Sequence, residues 1–195
     1  MFILYGVLIG LLIGVLTRGS PAALGQLRFR WSLLVVLGMA AQLLLFSSPL
    51  GNALGLAAPA VYMATNGIVL IVVARNLAIP GLPLVLLGGV ANLLAMIVNG
   101  GYMPVSRAAL DAMGHGPGTT GYSNSALLEH VVLAPLTDIF AMPTWVPAAN
   151  VFSVGDILIG VGVAIAIVAG MHGRGPRIEV AAIGGPADAL GAPGH

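Results

Sequence analysis

Two aspartates carry the strongest chemical signal in this sequence. Asp138 lies in the segment LTDIFAMP, and Asp156 lies 18 residues later in NVFSVGD. Asp156 is the only acid that falls at or inside a predicted apolar span. A carboxylate there is costly and points to function by default. Two carboxyl groups within a few Å cannot both ionise, so one keeps a proton and acts as an acid while the other activates water. That chemistry needs the pair within about one water's reach, a direct hydrogen bond spanning ~2.6–3.2 Å. Asp156 also has a structural reading. Ser153 or Asn150 can cap the following helix, and an acid in the first turn suits the helix dipole. The spacing from Ser153 to Asp156 matches a loose capping box. Asn99, Asn150, Ser153 and Gly155 fall at the same predicted membrane level and are candidate binding residues beside the catalytic candidates Asp138 and Asp156.

The elements that must position these residues are apolar helices. Of 195 residues, 58% are hydrophobic and 7% charged, and the mean hydropathy is +1.05. An ordinary soluble domain carries about 25% charged residues. This composition excludes a cytosolic enzyme, a nucleic-acid binder and a disordered chain. With no Cys, there are no disulfides and no thiolate metal sites. A bilayer-crossing helix needs about 20 apolar residues. Five candidates run over 1–17, 31–48, 57–73, 79–98 and 151–171. Arg18, Arg28, Arg30, Arg75, Arg174 and Arg177 all fall on one side if the N-terminus is outside, which leaves only Arg107 on the other. The positive-inside rule then gives an N-out, C-in chain in a bacterial inner membrane. Trp31 and Trp145 fall near opposite interfaces, where indole rings anchor.

The expected fold is thus all-α: a transmembrane bundle of five spans with a long extracytoplasmic loop, 99–150, between helices four and five. Residues 1–172 form the membrane domain, and 173–195 are expected to be a disordered cytoplasmic tail. In the loop, GHGPGTTG is expected to be flexible, and 125–140 to form a short helix on or dipping into the outer leaflet. Gly6, Gly10 and Gly14 form one small-residue stripe. Gly162, Ala166 and Gly170 form another. Such stripes let backbones approach closely. Packing within the chain is the plainer use; a homo-oligomer face or a docking face for a larger membrane complex is the alternative. Gln42, Asn66 and Asn92 are read as interhelical hydrogen-bonding residues. His115, Glu129 and His130 have no spacing that fixes a metal geometry, and a solvated loop is the better reading. No metal or cofactor is expected, and the lipid bilayer is the one certain partner.

NGGYMPVS, LTDIFAMP and NVFSVGDILIGVG together resemble a family of small, uncharacterised bacterial multi-pass membrane proteins, a domain of unknown function with NGGxMPV, DIFxxP and NVFSxGD motifs. The resemblance covers roughly residues 1–172. It implies a membrane location and no established activity. A second, fainter resemblance is to signal peptidase II, in which two Asp residues near the outer membrane face cleave lipoprotein signal peptides. The second follows an FNxAD pattern at the start of the last helix. Phe152-Ser153-Val154-Gly155-Asp156 has that layout, with Ser153 in place of Asn. The Asn and Arg of the first motif, N-x-x-D-R, are missing around Asp138. The span count is five rather than four.

Two functions follow: a non-enzymatic binding or accessory component with a polar site at the extracytoplasmic interface, or a membrane-embedded aspartic hydrolase. A carrier lacks support, because no internal repeat or matching broken helices are visible. Single Asp138→Asn and Asp156→Asn variants separate the two. For a hydrolase, lipoprotein processing falls at least ~100-fold in variants that still fold; unchanged processing removes that function.

Overall fold

The computed structural model describes residues 2–47, 49–114 and 124–178. The described chain is mostly helical: α1 (Phe2–Leu16), α2 (Ser32–Ser47), α3 (Pro49–Leu54), α4 (Ala58–Ala74), α5 (Leu82–Val98), α6 (Arg107–Ala112) and α7 (Val154–Met171). Four two-residue strands lie between α5 and α7: β1 (Met103–Pro104), β2 (Ser125–Ala126), β3 (Phe140–Ala141) and β4 (Val151–Phe152). Gly55–Ala74 and Val154–Met171 are long and apolar enough to cross a membrane; Phe2–Leu16, Ser32–Leu45 and Leu82–Val98 are shorter apolar helices.

Local chemistry sets the helix starts. α4 and α5 each carry a Pro in the first turn, where the missing N–H costs nothing. α5 starts at Leu82 and not at Ile79. Gly81 adopts φ +91°, a left-handed N-cap that holds Ile79 and Pro80 outside the helix. α7 starts three residues later than the hydropathy suggests, because Val151 and Phe152 pair as β4 with β3.

α7 is the central helix. It packs on α1 along one side and α5 along the other, while α5 packs on α4 and α4 on α2. The helices form an arc in the order α1–α7–α5–α4–α2. At one end of the arc the α1–α2 connection, the α4–α5 turn and the segment after α7 come together. Arg28 N donates to Pro176 O (2.9 Å), Ser20 N to Met171 O (2.8 Å) and Ile178 N to Gln26 O (3.0 Å). Asn76 is buried there and binds both the N–H and the carbonyl of Arg30. Arg75 lies 4.9 Å from the Trp31 ring centroid. Six of the seven Arg residues therefore sit at this end.

Two expectations are corrected. Residues 173–178, expected to belong to a disordered tail, are instead fixed by pairing with 26–28; 179–195 lie outside the described residues. No α-helix forms in 125–140. Leu133 takes φ +54°, Pro135 follows, and only a 3-10 turn forms at Ala134–Leu136. The flanking residues pair instead with the segment after α5 and with the lead into α7. The GHGPGTTG segment, apart from Gly114, lies outside the described residues, as does His115.

Both small-residue stripes are taken up inside the chain. A Cβ on Gly6 would lie 2.5 Å from Gly160 O, one on Gly10 2.8 Å from Ala164 Cα, and one on Gly14 against the Met171 side chain. On the other face of α7, Gly162 and Ala166 meet the Gly81 turn at the head of α5, and Gly170 meets Leu24 and Leu27. Gly10→Leu forces α1 away from the α7 backbone and is expected to lower stability by ~1–3 kcal/mol or more. Gly67→Ala is the control: its Cβ meets nothing within 4 Å, and Ala favours the helix by up to ~1 kcal/mol. Thermal unfolding of the two purified variants, read by circular dichroism, should shift in opposite directions.

Candidate functional site

The end of the arc opposite the Arg cluster is closed by the three segments that hold the sequence motifs. Met103-Pro104 runs parallel to Ser125-Ala126, and Val105 bridges Asp138. Asp138 N donates to Pro104 O (3.0 Å), and Ser106 N to Asp138 O (3.0 Å). Phe140-Ala141 pairs antiparallel with Val151-Phe152. Phe152 stacks between Phe140 and Phe2, with ring centroids at 5.4 and 4.5 Å. The backbone pairing draws the asparagine-led, the Asp138 and the Asp156 segments to one level.

At the start of α7 a small polar knot forms. The Ser153 hydroxyl donates to Asn92 Oδ1 (2.8 Å) and accepts from Asp156 N (3.0 Å). Asn92 Nδ2 donates to Asp156 Oδ1 (2.9 Å), and Ser153 N to Asp156 Oδ2 (3.0 Å). Ser153 and Asp156 therefore form a full capping box, and Asn92 of α5 fastens it to the next helix. Both Asp156 oxygens accept a hydrogen bond. Ser153 is wholly buried in this knot. Gly155 belongs to it sterically: a Cβ there would lie 2.0 Å from Asn92 Oδ1 and 2.7 Å from Gly88 O.

Inside the arc lies a cavity of ≈ 520 Å³. Its polar wall comes from Gln42 of α2, Tyr62 and Asn66 of α4, Asn92 of α5, Asn124 and Ser125 at β2, Asp138, Asn150 and Asp156. Its apolar wall includes Ile3, Val69, Leu70, Val85 and Ile159. Among the described residues no Arg, Lys or His lines it. Asp138 is only 7% exposed. Among the described residues its carboxyl receives no hydrogen bond, although its backbone is held on both sides. Burial pushes the Asp138 carboxyl up to about 7; the Asp156 carboxylate adds to the rise and the amino-terminal charge opposes it. Asn150 presents a second unmet acceptor, because its buried Oδ1 has no hydrogen-bond partner.

The candidate residues thus divide. Asp138, Asp156 and Asn150 line one cavity. Ser153 and Gly155 build the knot beneath it. Asn99 stands apart: its Nδ2 donates to Ala95 O (2.7 Å) and Val132 O (2.8 Å), and its Oδ1 accepts from Val132 N (2.9 Å). It clamps the loop onto α5 and does not line the cavity. Glu129 and His130 are exposed on that loop. Among the described residues no three His, Cys, Asp or Glu side chains group as a metal site. Tyr62, Asn124 and Ser125 are cavity residues that motif reading missed. The four-residue spacing of Tyr62 and Asn66 on one helical face was the available signal; nothing in the local sequence marks Asn124 or Ser125.

A family model matches residues 26–168, covering all three motif segments. The chain belongs to DUF5317, a family of unknown function. That membership meets the expectation of an uncharacterised domain and assigns no activity. No curated protein and no solved structure matches the chain.

The unpaired carboxyl has a consequence for stability. An aspartate in an unfolded chain titrates near ~3.9, whereas Asp138 does so at about 7 in the fold. Between those values the folded chain holds a proton that the unfolded chain has lost, so stability falls as pH rises through this window and levels off above it. Asp138→Asn stays neutral and is expected to remove that slope. Its apparent Tm should match the unaltered protein at about pH 4.5 and exceed it at about pH 8, by roughly 2–4 °C per kcal/mol relieved. Thermal scans across that range check this; an equal loss at both pH values would mean that the carboxylate has a stabilising partner.

Proposed function

We propose that this chain is a five-span integral protein of a bacterial inner membrane, N-terminus out and C-terminus in, acting as a non-enzymatic binding component. Its binding site is the polar cavity at the extracytoplasmic interface. The observation that carries this reading is the ≈ 520 Å³ cavity with a buried Asp138 in its wall, whose carboxyl accepts no hydrogen bond from the described residues. Burying a carboxyl costs the fold free energy, and such groups cluster at functional sites.

The membrane assignment rests on the outer faces of the arc. Leu4, Leu8, Leu12 and Leu16 of α1, Leu33, Val36 and Leu43 of α2, and Leu87 and Ile97 of α5 are all at least half exposed. Apolar patches on that scale are foreign to soluble monomers. The three shorter helices leave a mismatch that a bilayer absorbs by local thinning, at fractions of a kcal/mol per Å. The clustered Arg residues and Trp31 favour the cytoplasm for their end, with the segment after 172 on the same side. Trp145, 82% exposed at the cavity end, suits the outer headgroups.

The hydrolase reading draws on the cavity that Asp138 and Asp156 share. It is the weaker one, because Asp156 is engaged as a helix cap and interhelical tie, with both its oxygens accepting hydrogen bonds from Asn92 and Ser153.

Because the sequence has no Cys, single introduced thiols report on topology and access. In intact cells, an impermeant maleimide is expected to label Asp111→Cys and to label Ala22→Cys only after permeabilisation. A small water-soluble methanethiosulfonate should reach Asn124→Cys in the cavity from outside. Labelling of Ala22→Cys from outside would overturn the orientation, and an unreactive Asn124→Cys would overturn the binding site.

A further inference from the structure

Resting on that binding reading, we infer that the occupant of the cavity is an organic monocation, an ammonium head carried on an apolar body. Two acceptor sites in the cavity wall are unmet among the described residues. Asp138 is 93% buried, given its 7% exposure, and no donor among the described residues reaches its carboxyl. Asn150 Oδ1 is buried and has none either. The two donors of the polar knot are spent on protein: Asn92 Nδ2 on Asp156, and the Ser153 hydroxyl on Asn92. A ligand that brings donors meets both acceptors, and with no Arg, Lys or His side chain among the described lining residues a charged donor is the complementary one.

The same lining argues against the neighbouring chemistries. An anion would face two carboxylates with no Arg, Lys or His to receive it. A zwitterionic lipid head would place its phosphate in the same unfavourable field. A bare metal cation would leave most of ≈ 520 Å³ empty and would gain nothing from Val69, Leu70 and Ile159. Those side chains fit a hydrocarbon or aromatic body attached to the ammonium.

Binding of a cation favours the ionised Asp138. The charged and titratable groups facing it are Asp156 of α7, Tyr62 of α4 and the amino terminus that precedes α1. Asp156 is tied down by hydrogen bonds, so Asp138 is the group whose proton the ligand displaces. Affinity is then expected to rise with pH as Asp138 ionises and to level off above its titration.

The test uses the full chain in phosphatidylcholine nanodiscs with benzylammonium, benzyl alcohol and benzoate as isosteric probes, at one ionic strength. The readouts are isothermal titration and the shift in apparent Tm. Benzylammonium is expected to bind saturably and at least ~10-fold more tightly than the other two, a difference of about 1.4 kcal/mol. Its affinity should rise between about pH 5.5 and 8, and Asp138→Asn should weaken it ~10-fold or more while leaving benzyl alcohol unchanged. Equal or tighter binding of benzyl alcohol or benzoate overturns the inference and leaves a binding cavity in place. So does an equal Tm shift from sodium chloride alone. No saturable binding by any probe overturns it too, whereas failure of the underlying reading shows separately as an unreactive Asn124→Cys. The probe comparison on the unaltered chain needs no variant to fold.

Discussion

The fold is organised by how closely two helices can approach α7. On one side Gly6 and Gly10 of α1 lie against the backbone of Gly160 and Ala164; on the other, Gly81 and Gly88 at α5 lie against Gly162 and Gly155. These contacts leave no room for a methyl group. In an apolar surrounding there is no hydrophobic gain from bringing helices together, so tight backbone contact must supply the attraction. The stripes therefore act as internal seams, and they fix the height of α7 relative to its neighbours. That height places Asp156 beside Asn92 and sets the floor of the cavity.

The polar knot and the cavity make opposite uses of an aspartate. Asp156 is satisfied from every direction: by its own cap, by Asn92 and, through Asn92, by the Ser153 hydroxyl. It welds α5 to α7. Asp138 is buried further, and its carboxyl has no hydrogen-bonding partner among the described residues. Its backbone position is set by pairing with Pro104 and Ser106. One carboxylate stabilises the frame, and the frame holds the other in an unfavourable place. The proposed binding role makes use of that contrast.

Much of this was legible along the chain. The apolar helices were found within a few residues by hydropathy alone, because burial against lipid or neighbour needs the same uninterrupted run. The four-residue stripes announced close packing, and Ser153 with Asp156 announced a capping box, since both are i-to-i+3 or i-to-i+4 relations within one helix. The expectation of an uncharacterised domain agrees with membership of a family of unknown function. What local pattern could not give was the loop. The stretch 125–140 is apolar enough to suggest a helix, yet its residues pair with Met103–Ser106 and lead to Val151–Phe152, partners too distant in sequence to be inferred from the stretch alone.

The cavity is the clearest case of this division. Residue types announced that acids, asparagines and a polar loop were present, and arginine placement announced which end of the bundle they share, because both follow from one-dimensional patterning. Which acid is tied down and which is left unpaired followed from contacts between residues as far apart as Asn92 and Asp156, or Pro104 and Asp138. Asn99, which looked like a binding residue, proved to be a loop clamp for the same reason. Hydrogen-bond satisfaction depends on where other segments end up in space, so no reading of neighbours along the chain can supply it.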